Sequence, residues 1–134
     1  MRVEISSLLL AKLQAAVAAS PEVERCGLLF GARGRVTDIS FADNIAANPQ
    51  RHFELDPAHL ISAHRAARGG GPAVIGHWHS HPIGTAEPSP EDARSAAPDG
   101  RIWLILSASD VRLWRAVENG PVQGRFEPLA LAVV

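Results

Sequence analysis

A single cysteine, Cys26, is all that the 134 residues contain. No internal disulfide can form, no thiolate-rich metal cluster can be built, and the cysteine usage fits a reducing compartment. Neither sign of charge is in excess, with 13 lysines and arginines against 14 aspartates and glutamates. The basic residues are scattered, so the electrostatic footprint that a nucleic-acid binder needs is missing. Internal repeats, low-complexity segments and long polar tracts are lacking as well. The opening Met1–Ser20 has the outline of a signal peptide, but it carries Glu4, Lys12 and Gln14, and its apolar run is too short to span a bilayer. These absences lead to the expectation of a cytoplasmic protein that forms one domain over residues 1–134. Its 46% apolar residues are enough for a single core.

The pattern of what is present predicts a mixed chain of strands and helices. Arg2 to Ile5 alternates as a short strand, and Ser6 or Ser7 can cap a helix to about Ser20 with Leu9, Leu13, Ala16 and Val17 as its buried stripe. Glu24 to Gly31 reads as a buried strand, with a turn at Gly31 to Gly34 returning into Arg35 to Ala42 as its hairpin partner. Asn44 to Pro49 reads as loop and His52 to Asp56 as a short strand. Asp56 and Pro57 start a second helix that ends at Gly69, Gly70 and Gly71; no Gly-Lys-Ser/Thr follows, so this is no phosphate loop. Ala73 to His81 is a central strand. Ser89 caps a short helix to about Ala97, with Pro90 at its first position and Glu91 and Asp92 in its first turn. Ile102 to Leu106 and Val111 to Val117 form a hairpin in which Trp103 faces Trp114. Asn119 to Gly124 reads as loop and Phe126 to Val133 as a last strand, whose apolar LALAVV either sits centrally or docks onto a second copy in a homodimer. The expected architecture is α/β, a mixed β-sheet flanked by helices.

The chemistry gathers between Gly76 and Asp92, GHWHSHPIGTAEPSPED, which holds three of the six histidines. On a strand His77, His79 and His81 share one face, while Trp78 and Ser80 share the other. Two imidazoles can thus meet one ion, and Asp92, in the first turn of the helix one short loop later, is the candidate third ligand. Taken alone, an acid in a first helical turn usually only complements the helix dipole. Burying several histidines, however, costs free energy unless they are paired or ligated.

His79-Ser80-His81-Pro82, the ten residues separating His81 from Asp92, and Ser89 three before that aspartate resemble the motif of the JAMM (MPN+) metallopeptidase family. Glu24-Arg25-Cys26-Gly27, followed by apolar residues and Gly31, is similar to that family's upstream glutamate segment. The likeness runs from about Glu24 to Trp114, with Arg51 to Pro57 and Ala73 to Pro82 most like the compact bacterial members. It implies a cytidine-deaminase-like JAMM/MPN fold and one zinc held by His79, His81 and Asp92, with the fourth position open. It further implies that Glu24 carries the proton of the attacking water and that Ser89 donates to the oxyanion. The substrate implied is an amide bond at the C-terminal tail of a ubiquitin-like protein, with a sulfur-carrier protein ending in Gly-Gly as the expected partner. The short segment from Asp92 to Ile102 lacks the insertions that grip ubiquitin in the eukaryotic members. Two other readings are a non-catalytic MPN-type scaffold and a deconjugating peptidase in a bacterial antiphage or signalling system. His77 is expected to pack or to support the ligands, Trp78 to fill the core behind them, Cys26 to be a buried small side chain, and His52, His59 and His64 to lie at the surface.

Overall fold

The computed structural model describes residues 1–134. Its elements in chain order are β1 (Arg2–Ile5), α1 (Ser7–Ala19), β2 (Cys26–Ala32), β3 (Arg35–Ile39), α2 (Pro57–Arg68), β4 (Ala73–Ser80), α3 (Pro90–Ser95), β5 (Ile102–Leu106), β6 (Val111–Gly120) and β7 (Gly124–Val133). The helix starts follow local chemistry. Ser6 accepts the Leu9 N–H, Asp56 accepts the Ala58 N–H ahead of Pro57, and Ser89 accepts the Asp92 N–H ahead of Pro90. No helix is long and apolar enough to cross a membrane.

The strands do not form the open sheet flanked by helices that the sequence suggests. They close into a seven-stranded barrel in the order β1-β3-β2-β4-β5-β6-β7. The closing joint is the parallel pairing of β1 with β7, from Arg2 opposite Ala130 to Ile5 opposite Val133. An apolar last strand left at a sheet edge would be a template for aggregation, and pairing it on both sides removes that edge. LALAVV is therefore an internal strand, bound by β6 and β1.

Two expected segments differ. His52 to Asp56 is no strand, and its one ladder contact is the bridge between Leu55 and Asn44. The side chain of Asn44 replaces a neighbouring strand: its Nδ2 donates to the carbonyls of Glu24 and His52, and its Oδ1 accepts the N–H groups of Ala46 and Glu54. The expected loop from Asn119 to Gly124 is shorter, because β6 runs to Gly120 and only Pro121 to Gln123, the last at φ 54°, turn the chain back into β7.

β5 shows how the core is divided. All five of its residues are buried, and alternation sends them to opposite faces. Ile102, Leu104 and Leu106 join Val3, Leu13 and Trp78 on the face packed by Leu9 and Val17 of α1. Trp103 and Ile105 join Trp114, Phe126 and Ala86 on the other, with Phe53 against them. Trp103 pairs directly with Trp114, as the hairpin register predicts. Because β4 runs parallel to β5 with His77 opposite Trp103 and His79 opposite Ile105, the histidines belong to this second face.

Trp78 is fully buried and reaches across β2, where its Nε1 donates to the Ser40 carbonyl at 2.9 Å. That crossing passes over Gly27, its register partner, where a methyl group would run into the Ser40 carbonyl and the indole nitrogen. Gly27→Ala is therefore expected to lower stability by about 1–3 kcal/mol through overpacking, which urea unfolding followed by tryptophan fluorescence would read; an unchanged midpoint would show that Trp78 can move aside.

Candidate metal centre

Backbone pairing brings distant segments of the chain to one point. The N–H of Arg25 donates to Ser80 Oγ at 2.8 Å and the N–H of Ser80 donates to the Arg25 carbonyl at 3.0 Å, which locks the entry of β2 to the exit of β4. Arg25 also donates to the Ala16 carbonyl and to Ser20 Oγ, placing a cation at the carboxyl end of α1. Glu24 lies just before β2. Its backbone is held by donation to the Pro49 carbonyl at 2.7 Å and by acceptance from Asn44 at 2.8 Å. A residue outside the regular strand is fixed in this way as firmly as one inside it.

His79 and His81, at the end of β4, point their Nε2 atoms at each other across 3.1 Å. Asp92 Oδ2 lies 3.3 Å from His79 Nε2 and 3.1 Å from His81 Nε2. All three side chains are buried. Asp92 is placed by the helix cap: Ser89 Oγ accepts the Asp92 N–H at 3.0 Å, and Asp92 Oδ2 accepts the Ser89 N–H at 2.9 Å, a reciprocal capping box. Ser89 thus uses a lone pair for the cap, and its hydroxyl proton stays free to donate. Capping and oxyanion donation do not compete for the same part of the group.

His81 Nδ1 lies 2.7 Å from the Thr85 carbonyl, an acceptor only, so Nδ1 carries the hydrogen and Nε2 presents its lone pair to the centre. A lone pair facing a carboxylate oxygen at 3.1 Å is repulsive unless a proton or a metal cation lies between them. A divalent metal meets that need, and two imidazoles with a carboxylate are a donor set suited to zinc. Glu24 can also bring an oxygen within 4.8 Å of the histidine nitrogens. Asp92 is nearer to both histidines, at 3.3 and 3.1 Å, and either carboxylate can complete the donor set. Glu24 Oε1 is buried without a hydrogen-bond partner.

The electrostatics separate the two carboxylates. Burial would raise the Asp92 pKa, but the charges and hydrogen bonds of His79 and His81 and the Ser89 N–H hold it well below the usual range. Glu24 lacks such partners, and burial lifts it to about 7, with the Asp92 charge adding to the rise and His81 opposing it. His79 is lowered because burial outweighs Asp92. In His81 burial also acts downward, yet hydrogen bonds from the protonated ring to Asp92 and the Thr85 carbonyl prevail and raise it.

The remaining histidines stand apart. The His77 ring packs edge-on against Trp103 at 4.1 Å and near Phe53 at 5.4 Å, with its centroid 6.3 Å from that of His79. Burial drops its pKa to about 3, so it stays neutral. His59 is no free surface residue: it is half-buried and its Nε2 lies 2.8 Å from Ser40 Oγ, tying α2 to the barrel. His52 and His64 are likewise half-buried. Cys26 is buried with its thiol pushed up to about 11 by burial, a neutral packing group. Sequence reasoning missed Phe53, which stacks on His79 with centroids 4.2 Å apart and holds the ring whose Nδ1 has no hydrogen-bond partner. The only signal for it was an aromatic in a short apolar segment.

A family model, described as prokaryotic homologs of the JAB domain, matches residues 6–117, and the chain belongs to that family. Two similar curated relatives are both named desampylase. The one from Haloferax volcanii is 36% identical over 92 residues, spanning 67% of this chain and 66% of the relative. The one from Pyrococcus furiosus is 32% identical over 107 residues, spanning 79% and 76%. Among solved structures, a protein from Desulfitobacterium hafniense superposes with a TM-score of 0.82 at 25% identity, over 98% of this chain and 92% of that one. A JAB1/MPN domain protein from Archaeoglobus fulgidus shares the fold with a TM-score of 0.60 at 18% identity, over 98% of both chains. The JAMM/MPN likeness read from the motif is thus that of a compact prokaryotic member.

Zinc at a hundredfold excess over its dissociation constant is expected to raise the unfolding temperature by roughly 10 °C. The shift should vanish in the His79→Ala, His81→Ala double variant; calorimetry with and without the metal decides, and an equal shift in both proteins would put the metal elsewhere.

Proposed function

We propose that this member of the prokaryotic JAB family is a zinc-dependent hydrolase of amide bonds at the C-terminal tail of a ubiquitin-like protein, of the sulfur-carrier type ending in Gly-Gly. The observation that carries the reading is the convergence of His79 Nε2, His81 Nε2 and Asp92 Oδ2 beside a carboxylate, Glu24, that no other group engages. The desampylase name of both relatives supports a hydrolase that frees a ubiquitin-like modifier. His79, His81 and Asp92 would hold the zinc, which supplies Lewis acidity and makes water a competent nucleophile near neutral pH.

The chain's own side chains divide the proton and charge chemistry. Glu24, lifted to about 7, is ready near neutral pH both to accept a proton at its free Oε1 and to release it. It takes the proton of the attacking water and returns it to the leaving amine. Ser89 donates its unused hydroxyl proton to the oxygen that becomes negative as the carbonyl turns tetrahedral. Asp92, kept ionised, balances the positive charge at the centre. Thr85 fixes the tautomer of His81, and Phe53 holds the plane of His79.

A non-catalytic scaffold would have no use for an unengaged buried glutamate beside a complete ligand set. The test is a ubiquitin-like protein extended beyond its terminal Gly-Gly, incubated with wild type and with Glu24→Gln, with bound zinc quantified in both. Both proteins should carry one zinc, and cleavage should fall at least about a hundredfold in the variant. Zinc binding without cleavage by wild type would return the scaffold reading. Ser89→Ala should lose about a hundredfold or more in kcat, and Ser89→Thr should recover part of it; a loss confined to stability would leave Ser89 as a cap alone.

A further inference from the structure

The catalytic cleft and a larger cavity share a wall. The cleft, about 400 Å³, is lined by Glu24, Ser89, His81 and Pro82. The second cavity, about 570 Å³, lies between α1 and the β5–β6 turn and is also bounded by His81 and Pro82. A polypeptide drawn across the reaction centre meets both. The acyl side of the proposed substrate ends in two glycines, which have no side chains to fill 570 Å³. Glu24 and Ser89, the groups that act on the scissile carbonyl, both open on the smaller cleft. The larger cavity is left to the segment that departs with the amine.

Its lining has a definite chemistry. Val17, Pro21, Pro82, Leu106 and Val111 give it apolar walls, Asp110 is its only carboxylate, and no lysine or arginine faces it. Asp110 Oδ1 accepts the Val111 N–H at 2.9 Å. Its Oδ2 has only a distant contact with Arg112 Nε at 3.8 Å, while Arg112 turns its Nη1 to Glu87 at 2.9 Å. A half-exposed carboxylate oxygen thus stands at the rim with no close partner. The smaller cleft carries both signs, Arg51 and Arg94 against Glu24 and Glu91.

We propose that the larger cavity takes a lysine or arginine side chain of the segment leaving from the scissile bond. The methylene stem lies along Val17, Pro82 and Leu106, and the cationic head meets Asp110. Stems of this kind bury their carbons while the charge stays near water, which suits an apolar cavity with an acid at its mouth. The assignment rests on the amide-hydrolase reading of the adjoining cleft.

Three peptides that continue a Gly-Gly tail with Lys, Ala or Glu test it. With wild type, KM for the lysine peptide should be about fivefold below that for the alanine peptide, and the glutamate peptide should be poorer still. Asp110→Lys should reverse the order of lysine and glutamate. Equal KM values for the three peptides, or an order unchanged by Asp110→Lys, would overturn the proposal. The same peptides titrated into zinc-loaded Glu24→Gln and followed by amide shifts at Val17, Ser107 and Val111 give a readout without turnover. If wild type cleaves nothing, the hydrolase reading fails, while tighter binding of the lysine peptide that Asp110→Lys abolishes still upholds the pocket, and binding insensitive to Asp110 refutes it.

Discussion

Two imidazole nitrogens and a carboxylate oxygen lie within 3.1 to 3.3 Å of one another in a buried place, an arrangement that is costly unless a proton or a metal ion is shared among them. The rest of the structure can be understood by how it maintains that crowding. Backbone pairing of Arg25 with Ser80 sets the relative position of the glutamate and the histidines. The cap of α3 sets the aspartate, the Thr85 carbonyl fixes one imidazole and Phe53 fixes the other. None of these supports is large alone. Together they fix the relative positions of the two imidazoles and the two carboxylates.

The parts of this arrangement differ in how far they could be read from the chain. Helix starts were legible because Ser6, Asp56 and Ser89 satisfy N–H groups only two or three residues away. The facing of Trp103 and Trp114 was legible because a hairpin fixes register locally. The convergence of the candidate site residues was legible because period-two alternation puts His79 and His81 on one face, and the family likeness pointed to Asp92 as a further ligand and to Glu24 as the base. Barrel closure was hidden, since nothing near Arg2 announces Ala130 as its partner. His59 was expected at the surface for the same reason, its partner Ser40 being nineteen residues away.

Asn44 illustrates a more general limit. A side-chain amide offers donors and an acceptor in one plane, much as a peptide group does. Placed between two extended segments, it supplies four of the hydrogen bonds that a strand would have given. The segment from His52 to Asp56 is therefore extended, tied down and close to the site without being a strand. Composition predicted its shape, and a single polar residue eight positions upstream decided its pairing.

The joint between β1 and β7 bears on how the molecule reaches its fold. The segments carrying Glu24, His79, His81 and Asp92 are all synthesised before β7 exists, yet the sheet that shapes them cannot close until Gly124 to Val133 is available to meet Arg2 to Ile5. Contacts between residues so far apart in sequence form slowly, because a long loop must be closed before any pairing rewards it. A growing chain would hold β1 against β3 alone, with its other edge open, until residues 124–133 have emerged, so chaperone demand should persist until that segment is out.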